Sequence, residues 1–153
     1  MDPAPRDFED LPLDPDLGLP VPFACGTPVP GSPSTPTARD LQRSRVIQCA
    51  LSRVCGVCGA SLGRPLTLLG SQSEVDRNAF HFPPSHLECA TRLVGAYAGV
   101  NGAVLGQPDG EQVWHLVTTG GFEFVRPSRE DVDQRPRFEP NSVLAVDPAQ
   151  HPV

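Results

Sequence analysis

An α+β fold is what this chain of 153 residues predicts, and three observations predict it. Two segments carry apolar residues at helical spacing: Ile47, Ala50, Leu51 and Val54 in one, Leu87, Ala90, Leu93, Val94 and Tyr97 in the other. Short runs such as Leu66-Thr67-Leu68-Leu69 and Val113–Thr118 have the length and composition of strands. Between and within these segments stand Cys55, Cys58, His86 and Cys89, a Cys-x-x-Cys turn followed by a His-x-x-Cys pair.

The elements follow in chain order. Residues 1–36 contain ten of the 19 prolines, which removes backbone donors and predicts an acidic, proline-rich arm, extended or disordered. Leu11, Leu13, Leu17, Leu19, Val21 and Phe23 predict that 11–23 lies along the body of the domain. Thr37, with Asp40 three positions on, is a variant of the capping box and starts a helix over 38–53. Arg39, Arg43, Arg45 and Arg53 fall away from its apolar stripe and are expected to face solvent. Cys55–Gly59 is the next turn. Leu66–Leu69 is expected to pair with Ala79–Phe82 across a polar loop holding Gly70 and Asp76, as a short β-hairpin. Pro83-Pro84-Ser85 ends that strand, Ser85 caps a second helix running to about Gly99, and Glu88 favours its positive end. Val113–Thr118 and Phe122–Val125 flank Thr119-Gly120-Gly121, which predicts a C-terminal β-hairpin. Residues 127–137 read as a charged loop, Val143–Val146 as a short strand, and the last residues as a frayed tail.

Three thiols and one imidazole are ligands that a tetrahedral metal ion takes, and the spacing suits structural zinc. The glycine after Cys58 lets backbone amides turn toward the thiolates. His86 and Cys89 are three apart, so they share one face of a helix's first turn, where the helix end favours thiolate. Turn, hairpin and helix together make a treble-clef-like zinc module, with a helix before it and a hairpin after it. Four protein donors close the site, which argues against a catalytic ion with an open water position. An iron–sulfur cluster is the alternative occupant, because Cys₃His ligation is not unique to zinc. The chain divides accordingly into the arm at 1–36, a zinc-stabilised α+β domain at 37–126, and a loop, short strand and tail at 127–153.

The stretch from Arg53 to Ala90 carries CGVCGASLGR (55–64) and PPSHLECA (83–90). It resembles a widespread family of small uncharacterised bacterial and phage-encoded proteins with CxxCG-x-x-LGR and PPSHxxCA segments. Residues 11–23 are similar to that family's amino-terminal segment, and Val113–Val125 to its later strands. The resemblance implies metal ligation by Cys55, Cys58, His86 and Cys89 and no particular activity. Two departures stand out. Gly56 occupies a position where relatives place an aromatic residue, and Gly95-Ala96-Tyr97 one where they carry a Cys-Pro pair.

Charge is spread unevenly within the total of −6: residues 1–34 carry −5, residues 35–92 carry +3, and residues 93–153 carry −4. No lysine occurs. The longest apolar runs span only a few residues and the amino terminus lacks signal-peptide features, so a cytoplasmic location without membrane contact is expected. The order of His86-Leu87-Glu88 and Cys-x-x-Cys is the reverse of that in zinc deaminases. A treble-clef nuclease would require a hairpin histidine, for which His81 is the candidate. His115 alternates with Val113 and Val117 as a half-buried strand residue would. Cys25 and Cys49 read as small apolar residues. Phosphate-loop, dinucleotide and nucleophile-elbow motifs are absent, so no small-molecule substrate is evident. The leading expectation is a noncatalytic protein-interaction or adapter module with a protein partner. The alternatives are a nucleic-acid-binding regulator using Arg39, Arg43, Arg45, Arg53 and Arg64, and a treble-clef nuclease-like enzyme.

Overall fold

Why the first helix begins where it does is settled by the segment in front of it. The computed structural model describes residues 7–100, 102–107 and 113–148. Within 38–42, the backbone groups that a longer helix would use are already engaged. The Ala38 amide donates to Asp14 Oδ2 at 2.9 Å and the Arg39 amide to Thr37 Oγ1 at 3.1 Å. Asp40 O accepts from the Gly26 amide, and the Gln42 amide donates to Ala24 O. Helix α1 is therefore Arg43–Ser52, not 38–53, and no side chain caps it. Its buried face is Val46 and Cys49, while Leu51 stands 68% exposed. The stripe expected at Ile47, Ala50 and Leu51 is thus rotated by about one position.

The same segment packs as well as anchors. After a single 3₁₀ turn at Phe8–Asp10, the chain buries Leu11, Val21, Phe23, Ala24 and Cys25. An exposed two-stranded ribbon follows, β1 (Thr27–Val29) with β2 (Ser32–Thr35).

Strand β3 (Leu66–Gly70) is buried along its whole length. It does not pair with Ala79–Phe82. Ser71-Gln72-Ser73-Glu74, read from sequence as polar loop, is a complete capping box that starts helix α2 (Gln72–Arg77). Phe80 then bridges to Phe138 through paired backbone hydrogen bonds of 2.9 and 2.7 Å. The edge of β3 is instead closed by Ser85, which exchanges two 2.8 Å backbone bonds with Thr67. On its other side β3 pairs antiparallel with β4 (His115–Thr119), and β4 with β7 (Val143–Pro148).

The carboxy-terminal part is a hairpin, but its turn lies elsewhere than expected. Strands β4 and β5 (Phe122–Val125) do not pair with each other; β5 pairs with β6 (Arg137–Pro140), and β4 with β7. The two long arms bend together at Thr119–Gly121 and Asn141–Ser142, and the loop 126–136 forms the tip. Thr119 is fully buried, and its Oγ1 accepts from the Gly121 and Ser142 amides while donating to Gly121 O. That hydroxyl gives the freed backbone groups partners at the corner, so the glycines turn the chain between sheets instead of reversing it.

Helix α3 (Leu87–Ala96) packs against β3 and buries Ala90, Leu93 and Val94, with Tyr97 closing its end. Leu87 is 55% exposed, contrary to its place in the expected stripe. Leu68, Leu69, Phe80, Phe82, Trp114 and Phe138 belong to the same hydrophobic core, with β3 contributing from both of its faces. Among the described residues no helix is long and apolar enough to cross a membrane.

Candidate metal centre

Arg53 adopts a left-handed conformation (φ 52°) that ends α1 and throws the chain into the Cys55–Gly59 turn. The turn is closed by Cys55 N–H to Ala60 O at 2.7 Å and Gly59 N–H to Cys55 O at 2.9 Å. Gly59 has φ +77°, and a Cβ there would lie 2.9 Å from Phe23 Cδ1, so glycine is demanded by both backbone and space. Gly56 is enclosed too: a Cβ would stand 3.0 Å from Phe82 Cε1 and 3.1 Å from Pro83 O. A side chain at this position would press against the Phe82 ring and the Pro83 backbone.

The second pair of donors arrives with α3. Because both backbone groups of Ser85 are committed to Thr67, and its hydroxyl donates to Pro83 O, the helix starts one residue later than expected. His86 is the N-cap in place of Ser85, and Cys89 sits in the first turn. The Cys55, Cys58 and Cys89 sulfurs and one His86 ring nitrogen all lie within 4.8 Å of one another, a cluster that can hold a metal ion.

The dimensions suit tetrahedral coordination. Zn–S bonds of about 2.3 Å and Zn–N bonds of about 2.0 Å imply S···N edges of roughly 3.6 Å. His86 Nδ1 is 3.5 Å from Cys58 Sγ and 3.7 Å from Cys89 Sγ. His86 Nε2 faces the Ser61 carbonyl at 2.9 Å. A carbonyl only accepts, so Nε2 carries the hydrogen and the Nδ1 lone pair points among the sulfurs. Sequence reasoning did not find this orienting contact, since a backbone acceptor leaves no residue-type signal.

Cys55 is the fully buried member, and its sulfur accepts from the Val57 and His86 amides at 3.3 and 3.4 Å. Thiol donors from Cys58 and Cys89, with the backbone amides, hold the Cys55 thiol far below its ordinary range against the effect of burial. The Cys58 and Cys89 thiols are pushed up in turn, foremost by their bonds to Cys55 and then by burial. One charged sulfur thus suppresses ionisation of the other two, and a dication among them reverses that balance. Cys25 and Cys49 lie apart from this chemistry. Burial pushes both thiols up, which makes them inert core residues.

The arginines of the predicted anionic-partner site are dispersed. Arg39 donates to Ala103 O and Arg43 to Gln134 O, both on the rim of one cavity. Arg45 reaches the Phe23 and Cys25 carbonyls and lies over the Phe23 ring, against a different groove. Arg53 covers Phe122, and Arg64 is exposed before Pro65. Helix α1 therefore presents no continuous arginine face. The arm's Glu9 pairs with Arg92, which also covers Phe8.

His81 is buried. Its Nδ1 faces Pro136 O at 3.1 Å and its Nε2 faces Asp133 Oδ2 at 3.2 Å. Both ring nitrogens are engaged by protein acceptors, so neither is presented to a substrate as a general base. His115 is half-buried on β4. No protein-family model, curated protein or solved structure matches the chain.

Proposed function

We propose that the protein is a small structural-zinc protein, treble-clef-like at its metal centre, acting as a noncatalytic protein-interaction or adapter module. The observation that carries this reading is the closed donor set: three sulfurs and an oriented imidazole within 4.8 Å, with no position left for a reacting water. Zinc is the proposed ion because three thiols and one imidazole are a donor set that closed structural zinc sites take. The knuckle and the helix start supply the two ligand pairs, as in the family the sequence resembles.

A surface feature supports the interaction role. Among the described residues β7 is the outer strand of its sheet, and Val143, Leu144 and Val146 are 46%, 67% and 47% exposed along it. An apolar edge strand is a natural template for strand addition by a partner. A photocrosslinking residue placed at Leu144 in the native cell is expected to capture one partner protein, and Leu144→Asp to abolish the complex. Absence of any adduct, together with metal-dependent turnover that disappears in His81→Ala, would replace this reading with the nuclease-like one.

A further inference from the structure

The loop 126–136, at the tip of the β5–β6 hairpin, meets the body of the domain at His81, and the contact makes a definite demand on protons. Nδ1 faces the Pro136 carbonyl oxygen at 3.1 Å, and Nε2 faces an Asp133 carboxylate oxygen at 3.2 Å. A carbonyl and an ionised carboxylate only accept, so both nitrogens need a hydrogen, and a ring with hydrogen on both is the imidazolium. We propose that His81 is a proton-operated latch, which clasps the loop to the body when charged and releases its Pro136 end when neutral.

One side of the latch is fixed. The His81 amide donates to Glu74 Oε2 at 3.0 Å, and Glu74, itself 2% exposed, also accepts from the Ser71 amide and the Gln107 side-chain amide on Oε1. The neighbouring Phe80 is bridged to Phe138 on β6. The other side is a unit braced within itself. Asp131 Oδ2 accepts from the Ser128 amide at 2.8 Å, the Gln134 side-chain amide donates to the Ser128 and Asp131 carbonyls, and Arg135 pairs with Asp133 at 2.8 Å. Residues 128–135 are exposed and Pro136 is buried, so the tip can swing on its base without losing its own bonds. Arg43 to Gln134 O at 3.3 Å and Arg135 to Gly106 O at 2.7 Å are further ties to the body, and neither requires a titrating histidine.

The charged groups around His81 come from three parts of the chain. Asp133 faces the ring directly and is shared with Arg135. Glu74 of α2 faces the His81 backbone amide. Arg39, Asp40 and Arg43, at the entry to α1, line the same cavity as His81, as does Arg135. The Arg135 guanidinium holds the Asp133 carboxyl well below the usual carboxylate range, against the effect of burial. Asp133 therefore stays charged while a histidine gains or loses its proton, which happens between about pH 5 and 8. On the acid side of that range the imidazolium satisfies both acceptors. On the alkaline side one hydrogen remains for two. It stays on Nε2, because the charged carboxylate is the stronger acceptor, and the bare Nδ1 lone pair then opposes the Pro136 carbonyl oxygen.

Nuclear magnetic resonance of the metal-loaded full chain tests the latch at about pH 5.5 and about pH 8.5, on either side of the histidine range. On the acid side, nitrogen shifts are expected to show hydrogen on both His81 ring nitrogens, with Overhauser contacts from the carbon-bound ring protons to Pro136 and Asp133. On the alkaline side, one hydrogen should be gone and the contacts to Pro136 lost, while those between Phe80 and Phe138 persist. Asp133→Asn, on an exposed side chain, is the discriminating variant. Its amide can donate to a bare Nε2, which leaves the one hydrogen on Nδ1 for the Pro136 carbonyl, so the Pro136 contacts should survive at both pH values. A single hydrogen on the ring on the acid side would overturn the proposal. So would wild-type Pro136 contacts unchanged on the alkaline side, or their loss there in Asp133→Asn to the same extent as in the wild type. None of these results depends on the role proposed for the metal centre.

Discussion

Removing the metal is the perturbation that discriminates most sharply. The Cys55–Gly59 turn is a junction: its Val57 and Gly56 carbonyls accept from the Phe23 and Ala24 amides, and its Gly56 amide donates to Pro84 O. The amino-terminal segment, the strand edge at Ser85 and the start of α3 are therefore all tied to the metal turn. Structural zinc contributes about 10–16 kcal/mol of apparent binding free energy near neutral pH. A domain of this size has about 5–15 kcal/mol of net stability, so a zinc ion held by these four side chains, as proposed, would account for most or all of it. Elemental analysis of the purified chain is expected to find one zinc per molecule. A strong chelator should abolish the cooperative thermal transition seen by circular dichroism, and added zinc should restore it. Cys58→Ser and His86→Ala should behave like the chelated wild type. A metal-free chain that still melts cooperatively within a few degrees of the loaded one would refute the reasoning, leaving the four side chains as polar core residues.

Asp14 is expected to be the most costly single acid to remove. Its carboxylate accepts from the Ala38, Asp16 and Leu17 amides at 2.9, 2.8 and 3.2 Å, so Asp14→Ala should cost about 2–4 kcal/mol in urea unfolding. Burial raises its pKa, but the three amides outweigh that and hold it below the usual carboxylate value. A depressed folded value places the stabilisation above the unfolded carboxylate range and removes it only as pH falls below. The wild-type minus Asp14→Asn difference should thus be flat from about pH 5 to about pH 8, and a slope in that window would contradict the assignment. Gly59→Ala should destabilise by about 1–3 kcal/mol, from a left-handed backbone and the approach to Phe23. Gly63→Ala, with open space and an ordinary φ, should change stability by less than about 0.5 kcal/mol in the same assay; equal effects would sink the packing argument. Glu74→Gln should cost about 1–3 kcal/mol, because its amide group must face at least one of the donors that now share the carboxylate. An unchanged denaturation midpoint would show that the buried carboxylate is not needed.

Local signals were legible wherever the decisive partner lay within a few residues. The Cys-x-x-Cys-Gly turn, the His86–Cys89 pair and the Ala90, Leu93, Val94 and Tyr97 stripe all depend on short spacings, and the structure places them accordingly, although α3 starts one residue late and Leu87, expected in the same stripe, is exposed. The capping box at Ser71–Glu74 belongs to the same class but was obscured by its polar company in a six-residue helix. Errors arose where the partner was distant. Thr37 and Asp40 form a respectable helix start, yet Asp14, 24 residues earlier, takes the Ala38 amide first. Thr119-Gly120-Gly121 resembles a hairpin turn, but Ser142 donates to the Thr119 hydroxyl and makes it a corner.

The amino-acid sequence by itself determined the α+β class, the four Cys and His side chains that cluster where a metal ion could be held, and the existence of the two helices beside them, because ligand chemistry and 3.6-residue periodicity are written in neighbouring positions. Only the tertiary structure decided which strands pair, where α1 begins, the Ser61 contact that orients His86, and the gathering of Arg39, Arg43 and Arg135 around one cavity. Those outcomes depend on which of several competing donors and acceptors reaches a backbone group first, and that competition is resolved only when distant segments pack together.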